Sequence, residues 1–253
     1  TLVISSGHVL SQMLDQQTAE VVHGLLKAHK VRIITQADVE RVEGVGGVSK
    51  VVLNNGKELP CQMVVFCKGV VPNMELARDA LINVRKGIIV DEGMRTSAPN
   101  IFAAGDVAEA IDPVTGQGTV RSFWAKAMRQ GHVAGENMAG GDARYQGDLV
   151  SNSLIVYGTT VLTMGHTRPD ERDRSIVISA EGEGWFRRIV LREGRVIGAV
   201  LIGDITSAEA LGCLLTSRSD ASELTIKMLD RSFDKVMLAE LGPLECPADN
   251  QNS

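Results

Sequence analysis

The chain opens on a short β-type run, Thr1-Leu2-Val3-Ile4, which Ser5-Ser6-Gly7 closes. The period then changes. Leu14, Thr18, Val21, Val22, Leu25 and Leu26 recur at helical spacing, with Asp15 near the start. Val31-Arg32-Ile33-Ile34 returns to a strand pattern. Strand, helix, strand in this order predicts a βαβ unit, hence a right-handed crossover and a parallel sheet. Short β runs follow at 39–42, 49–53 and 63–67, and Asn54-Asn55-Gly56-Lys57 between the last two is a hairpin signal. Residues 87–91 and the apolar run Ile101-Phe102-Ala103-Ala104 read as two more strands. A Gly/Pro-rich loop at 112–118 precedes a helix over 121–138, in which Phe123, Ala127, Met128, Ala134 and Met138 form the expected buried stripe.

Gly140-Gly141-Asp142 marks a domain boundary. Beyond it, β runs at 153–157, 161–164, 175–179, 185–191 and 196–201 are followed by helices at 208–215 and 221–229. Arg192-Glu193-Gly194-Arg195 is a hairpin turn. Antiparallel strands followed by helices predict an α+β domain. Arg187 and Arg188 read as exposed hairpin arginines, and the polar stretch 245–253 as a frayed end.

Length and composition change this picture little. A chain of 253 residues accommodates two or three modest domains. The net charge of −5 provides no basic stripe, which argues against a nucleic-acid partner. No apolar run is long enough to cross a bilayer, and no charged, then apolar, leader opens the chain. The opening inside a strand-like run, without Met, reads as a truncated start. Cys61, Cys67, Cys213 and Cys246 make no Cys-x-x-Cys pair. Cys67 and Cys213 lie in apolar runs, as small hydrophobes do, so the expectation is free thiols and a cytoplasmic location. His8, His23, His29, His132 and His166 show no metal-ligand spacing, and no metal site is expected.

The chemistry concentrates at 96–108, TSAPNIFAAGDVA. A turn and a small apolar run end in Gly105-Asp106, which brings bare backbone and a carboxylate to one place. Alone, Gly-Asp is an ordinary loop pair or a helix N-cap. The whole string resembles the second flavin motif of the FAD-dependent pyridine nucleotide-disulfide oxidoreductases. The resemblance implies that Asp106 accepts a hydrogen bond from a ribityl hydroxyl and that the N–H groups after it, at Val107, face the pyrophosphate. Lys68-Gly69-Val70-Val71-Pro72-Asn73 resembles that family's crossover from the nicotinamide domain to the flavin domain, with Gly69 matching and Val71 in place of the usual arginine. Ala127, Gln130 and Gly131 match its Ala-x-x-Gln-Gly pattern on the helix whose positive end faces the flavin pyrimidine. Read without the resemblance, Gln130 is a solvated residue of a surface helix. The strands around Phe186 and Gly198 resemble the same enzymes' C-terminal domain.

The resemblance implies an α/β protein: a partial two-dinucleotide-binding-domain flavoprotein, with incomplete NAD and FAD domains, plus a C-terminal α+β domain. The expected divisions are 1–72 for the C-terminal part of the NAD(P)-binding domain, 73–146 for the second segment of the FAD-binding domain, 147–247 for the α+β domain and 248–253 for a tail. FAD and NAD(P)H are the implied cofactors. The implied activity passes electrons from NAD(P)H through FAD to a disulfide, oxygen or a downstream acceptor, with NADH oxidase, coenzyme A-disulfide reductase and the nitrite reductase flavin module as the branches. A homodimer through the C-terminal domain is the expected assembly, with no nucleic-acid or membrane partner. The rival reading is a non-catalytic dimerisation or docking module with a structural flavin-fold remnant. No catalytic residue is assigned. Gly44-Val45-Gly46-Gly47-Val48-Ser49 half-matches a phosphate fingerprint but sits between β runs, and reads as a flexible turn.

One position departs from the pattern. The strand after the dinucleotide turn ordinarily ends in an acid for the adenosine ribose; here it ends in Ile4-Ser5-Ser6. Ser5 can hydrogen-bond either a ribose or a phosphate oxygen, leaving NADH against NADPH open. Restoring an acid by Ser5→Glu or Ile4→Glu in the full-length protein should raise the preference for NADH, because a carboxylate repels a 2′-phosphate. Steady-state kinetics with both coenzymes check this; an unchanged ratio of kcat/KM in both variants removes this strand end from the ribose site.

Overall fold

Apolar side chains at 2–4 and 33–34 flank a helix, and the three segments close into the expected parallel unit. In the computed structural model, which describes residues 1–112, 116–120, 122–147, 149–168 and 175–241, β1 (Leu2–Val3) pairs in parallel with β2 (Ile33–Ile34), with Leu2 opposite Ile33. Between them runs α1 (Gln16–Ala28). Asp15 caps it: the extended backbone frees its carboxylate to accept from the Thr18 N–H at 3.0 Å. Leu14, Thr18 and Val22 of the predicted face are buried. An antiparallel meander follows, of β3 (Val39–Glu43), β4 (Lys50–Leu53) and β5 (Glu58–Pro60). The turn at 54–57 closes it through Gly56, whose φ of +81° suits glycine.

The later elements are α2 (Glu75–Asp79), β6 (Ile88–Ile89), β7 (Ala108–Ile111), β8 (Gly118–Thr119) and α3 (Trp124–Met138). β6 pairs with β7 in parallel and β7 with β8 antiparallel. The C-terminal part comprises β9 (Ser151–Val156), β10 (Thr159–Gly165), β11 (Ile176–Gly182), β12 (Trp185–Arg192), β13 (Arg195–Ile202) and α4 (Ala208–Ser217). Its five strands form one antiparallel sheet in the order β11-β12-β13-β10-β9. Tyr157-Gly158 and Glu193-Gly194 all have positive φ, the two-residue hairpin turn whose twist matches that of its strands.

The chain forms two units. One contains Thr1–Phe66 together with the described residues from Val150 onward; the other is Cys67–Leu149. Within the first, a single apolar cluster joins Val9, Leu14, Ala19 and Val22 to Val156, Val161, Phe186, Val200 and Ile202, so one side of α1 and the C-terminal sheet share a core. Within the second, Val90, Met94, Ala108, Ala110, Val133, Ala134 and Tyr145 pack together.

Several expectations are corrected. Residues 63–67 form no strand, and Met63, Val65 and Phe66 are exposed. A strand needs a neighbour for its N–H and C=O groups, and among the described residues no strand pairs with this stretch. Residues 101–104 form only an isolated bridge, Arg95 to Phe102, and the strand beside β6 lies after Gly-Asp. The helix expected at 221–229 is two 3₁₀ turns, Ser222–Leu224 and Lys227–Leu229. Arg187 and Arg188 are buried, not exposed: the guanidinium of Arg187 donates to the carbonyls of Met228, at 3.1 Å, and Asp230. Cys213 is disulfide-bonded, so cysteine usage gives no argument for a reducing compartment. The stretch 245–253 lies outside the described residues, as do 113–115 of the Gly/Pro-rich loop. No helix among the described residues is long and apolar enough to cross a membrane.

Glu109 on β7 is 2% exposed, and both of its oxygens are used. Oε1 accepts from Arg85, Nε at 2.8 Å, and Oε2 from the N–H groups of Lys86 and Gly87 at 2.8 and 3.1 Å. Burial pushes this carboxyl up, but the Arg85 guanidinium and the two N–H donors outweigh it and hold it below the ordinary carboxylate value. Its stabilising contribution is therefore complete above the unfolded-state pKa of about 4.3 and is lost as pH falls through the lower folded-state value. Glu109→Ala leaves two N–H groups unpaired and should lose about 1–3 kcal/mol at pH 7. Urea unfolding between pH 7 and pH 3 checks this; the gap between wild type and variant should narrow towards the acid end, and a constant gap contradicts the assignment.

Candidate functional site

Where the small apolar run ends, the backbone turns sharply. Ala104 is extended, and Gly105–Val107 forms a single 3₁₀ turn. Gly105 is buried with φ +79°, a conformation costly for any residue carrying a Cβ. Its N–H donates to Oε1 of Gln130, on α3, at 2.9 Å. Ala127, one turn earlier on α3, faces the same glycine: a Cβ added at Gly105 would lie 3.4 Å from that of Ala127. Glycine and alanine thus let turn and helix approach closely.

Gln130 is fully buried, which removes the solvated-surface reading. Its amide nitrogen has no hydrogen-bond partner among the described residues. Asp106 follows at once, exposed and without a hydrogen bond among the described residues. Val107 is half-buried. The residue that opens α3, Phe123, is extended and supplies no side-chain cap, so a ligand can take the first-turn N–H groups. Arg121, the expected start of this helix, lies outside the described residues.

The buried stripe of α3 differs from the expected one. It is Lys126, Gln130, Val133, Ala134 and Asn137, whereas Met128 and Met138 are 62% and 68% exposed. Of the expected stripe, Ala134 is buried and Phe123 and Ala127 are half-buried, so hydrophobicity found part of the buried face and missed its three polar members. Asn137 is fully used: its amide donates to the carbonyls of Gly93 and Ala143, each at 2.9 Å, and its oxygen accepts from the Ala143 N–H at 2.8 Å. It went unnoticed in the sequence, although it follows Gln130 by two helical turns and so shares its face.

The structure brings Gly105, Ala127 and Gln130 into contact, with Asp106 and Val107 on the same turn. Gly69 is exposed at φ +84°, with open space around it. Ser5 is exposed immediately after β1 and belongs to the other unit.

Turn and helix together provide an open carboxylate, a buried amide with a spare donor, an uncapped helix start and no bulk at the crossing. This combination fits a flavin dinucleotide, whose ribityl hydroxyls are donors and whose pyrimidine carbonyls are acceptors.

The parallel βαβ unit and the parallel β6–β7 pair, with the antiparallel sheet and helix that follow, define an α/β protein carrying an α+β domain. The pyridine nucleotide-disulphide oxidoreductase family model matches residues 1–131, and the rubredoxin NAD+ reductase C-terminal domain model matches residues 151–219. The chain belongs to the pyridine nucleotide-disulphide oxidoreductase family. It is 32% identical to an NADH oxidase of Methanocaldococcus jannaschii over 94% of this chain and 53% of that protein. It is 30% identical to the assimilatory nitrate reductase electron transfer subunit of Bacillus subtilis over 88% of this chain and 28% of that protein. Among solved structures, an NAD-dependent persulfide reductase from A. fulgidus superposes with a TM-score of 0.75 at 28% identity, covering 95% of this chain and 46% of that one. The chain thus spans about half or less of the length of these relatives, and its fold is a partial two-dinucleotide-binding-domain flavoprotein fold.

Two glycines with similar φ separate backbone strain from the constraint that α3 places on the turn. Gly105→Ala should lose more stability than Gly116→Ala, because both carry positive φ, +79° and +69°, but only Gly105 is buried and held by Gln130. The common strain is about 1–2 kcal/mol. Urea unfolding of both variants checks this; equal losses show that α3 does not constrain the turn.

Proposed function

We propose that the whole protein is an FAD-dependent NAD(P)H oxidoreductase in which this chain supplies the second flavin segment, part of the nicotinamide domain and the C-terminal domain, divided near 72, 146 and 247. What supports the reading most is the contact of the positive-φ Gly105 with Gln130, which leaves Asp106 open and the Gln130 amide nitrogen unpaired. When bound, FAD would take a hydride from NAD(P)H and release electrons singly or in pairs. Asp106 would accept from a ribityl hydroxyl. The N–H of Val107 would face the pyrophosphate. Ala127 would leave room for the flavin, and Gln130, having fixed Gly105 with its oxygen, would offer its nitrogen to an acceptor. The uncapped start of α3 would stabilise negative charge arriving on the pyrimidine side. Gly69 would act at the crossover between the two nucleotide domains, and Ser5 at the adenosine ribose.

The relatives' names suggest oxygen, a persulfide or disulfide, or a further electron-transfer centre as the acceptor. A homodimer through the C-terminal domain and a cytoplasmic location are part of the same proposal.

Asp106→Ala tests the flavin assignment. A hydrogen bond to a charged acceptor contributes about 1.5–3 kcal/mol, so FAD affinity should fall by about ten- to a hundredfold. The full-length variant is dialysed and its flavin absorbance compared with wild type; Asp106→Asn, which keeps an acceptor oxygen, should lose less. Undiminished flavin in Asp106→Ala removes this residue from the site.

A further inference from the structure

The segment between β1 and α1 is held from two sides. On one side its backbone joins the meander's approach, with the N–H of Gln36 donating to the Ser6 carbonyl at 3.0 Å and that of Ala37 to the Ile4 carbonyl at 3.1 Å. On the other it meets the C-terminal part of the same unit. The Thr167 hydroxyl donates to the Met13 carbonyl at 2.6 Å, and the Arg168 guanidinium donates to the Ser11 carbonyl. Arg188, from β12 and 6% exposed, reaches Oδ2 of Asp15 at 2.7 Å and Oε1 of Gln17 at 3.3 Å.

Asp15 divides its carboxylate between two tasks. Oδ1 caps α1 through the Thr18 N–H at 3.0 Å, and Oδ2 meets Arg188. The start of α1 therefore has a fixed orientation relative to the C-terminal sheet. Without Arg188, the cap and the shared apolar cluster survive, but the polar tether between sheet and segment is reduced to carbonyl contacts at Ser11 and Met13. A buried guanidinium is costly to hold unless paired, so the pair stays closed once formed. Ser5 opens this same segment and has no side-chain partner of its own among the described residues, so its place depends on the anchoring at either end.

We infer that Arg188 is a positioning residue for the nicotinamide coenzyme: through Asp15, the C-terminal sheet sets the segment that receives the adenosine ribose, and coenzyme affinity depends on a side chain outside the nucleotide domain. This inference rests on the reading that the ribose lies at the end of β1.

The test uses full-length flavin-loaded protein, with NADH or NADPH as donor and ferricyanide as acceptor. Arg188→Leu should raise the coenzyme KM about tenfold and change kcat less than about twofold, since a displaced binding segment weakens binding more than chemistry. Flavin occupancy, read from absorbance, should stay at the wild-type level. Arg188→Lys should recover part of the loss. Asp15→Asn keeps an oxygen for the cap but loses the ion pair; it should raise KM similarly, and Asp15→Asn combined with Arg188→Leu should be no worse than the stronger single change. If Arg188→Leu does not fold, Asp15→Asn carries the test. Unchanged KM in Asp15→Asn and in any folded Arg188 variant overturns the inference and leaves the proposed function standing. Loss of flavin and of kcat in parallel, with KM unchanged, also overturns it, because that is the mark of a merely structural pair. A flavin-loaded wild type that oxidises neither coenzyme overturns the proposed function and the inference with it.

Discussion

The N–H of Gly105 sits in a buried turn where no strand or helix carbonyl reaches it, and Gln130 supplies the missing acceptor at 2.9 Å. An unpaired buried N–H is costly, so turn and helix settle where that bond forms. Much follows from it. Gly105 turns there at positive φ, and Asp106 after it is exposed. The bond holds Gln130 in the interior, where its nitrogen is left over. Two turns further along the same face, Asn137 pins Gly93 and Ala143. The polar face of α3 is thus a row of amide clamps holding irregular backbone that has no ladder of its own.

Charge does comparable work elsewhere. Glu109 gathers Arg85, Lys86 and Gly87 around one buried carboxylate, fixing the turn that leads into β6. Asp15 and Arg188 join the start of α1 to the C-terminal sheet over an apolar cluster that the two parts share. In each case a short loop is fixed by a carboxylate whose two oxygens serve different donors. Apolar packing brings the layers together, and these carboxylates settle the register of the loops between them. The candidate ribose segment lies beside one of these loops, whereas the candidate flavin residues lie on a turn and a helix joined by the Gln130 amide.

The two nucleotide-related parts and the C-terminal part were legible as far as local period and turn chemistry reach. The meander turn at 54–57 and the hairpin at 193–194 were readable because Asn-Gly and Glu-Gly satisfy a backbone demand within a few residues. Gly105, Ala127 and Gln130 were readable only because a family pattern joined them; nothing in the spacing from 105 to 130 predicts a hydrogen bond. Residues 63–67 and 101–104 have strand composition without a strand, because pairing belongs to neighbours rather than to the segment itself. The face of α3 was read only in part, because Gln130 and Asn137 are buried as amide clamps and not by hydrophobicity.

Taken alone, the sequence determined what short-range physics decides: the helix cap at Asp15, the strand alternation of the C-terminal sheet, the positions at which only glycine turns easily, and the Gly-Asp string that marks the family. Tertiary structure decided which side chains are inside. Arg187 and Arg188 follow one another on a strand and look alike in sequence, yet one holds the carbonyls of Met228 and Asp230 while the other holds Asp15. Alternation sends adjacent residues to opposite faces, but what waits on each face is supplied by chain that is distant in sequence. The burial of a charge depends on that partner, and so no local pattern encodes it.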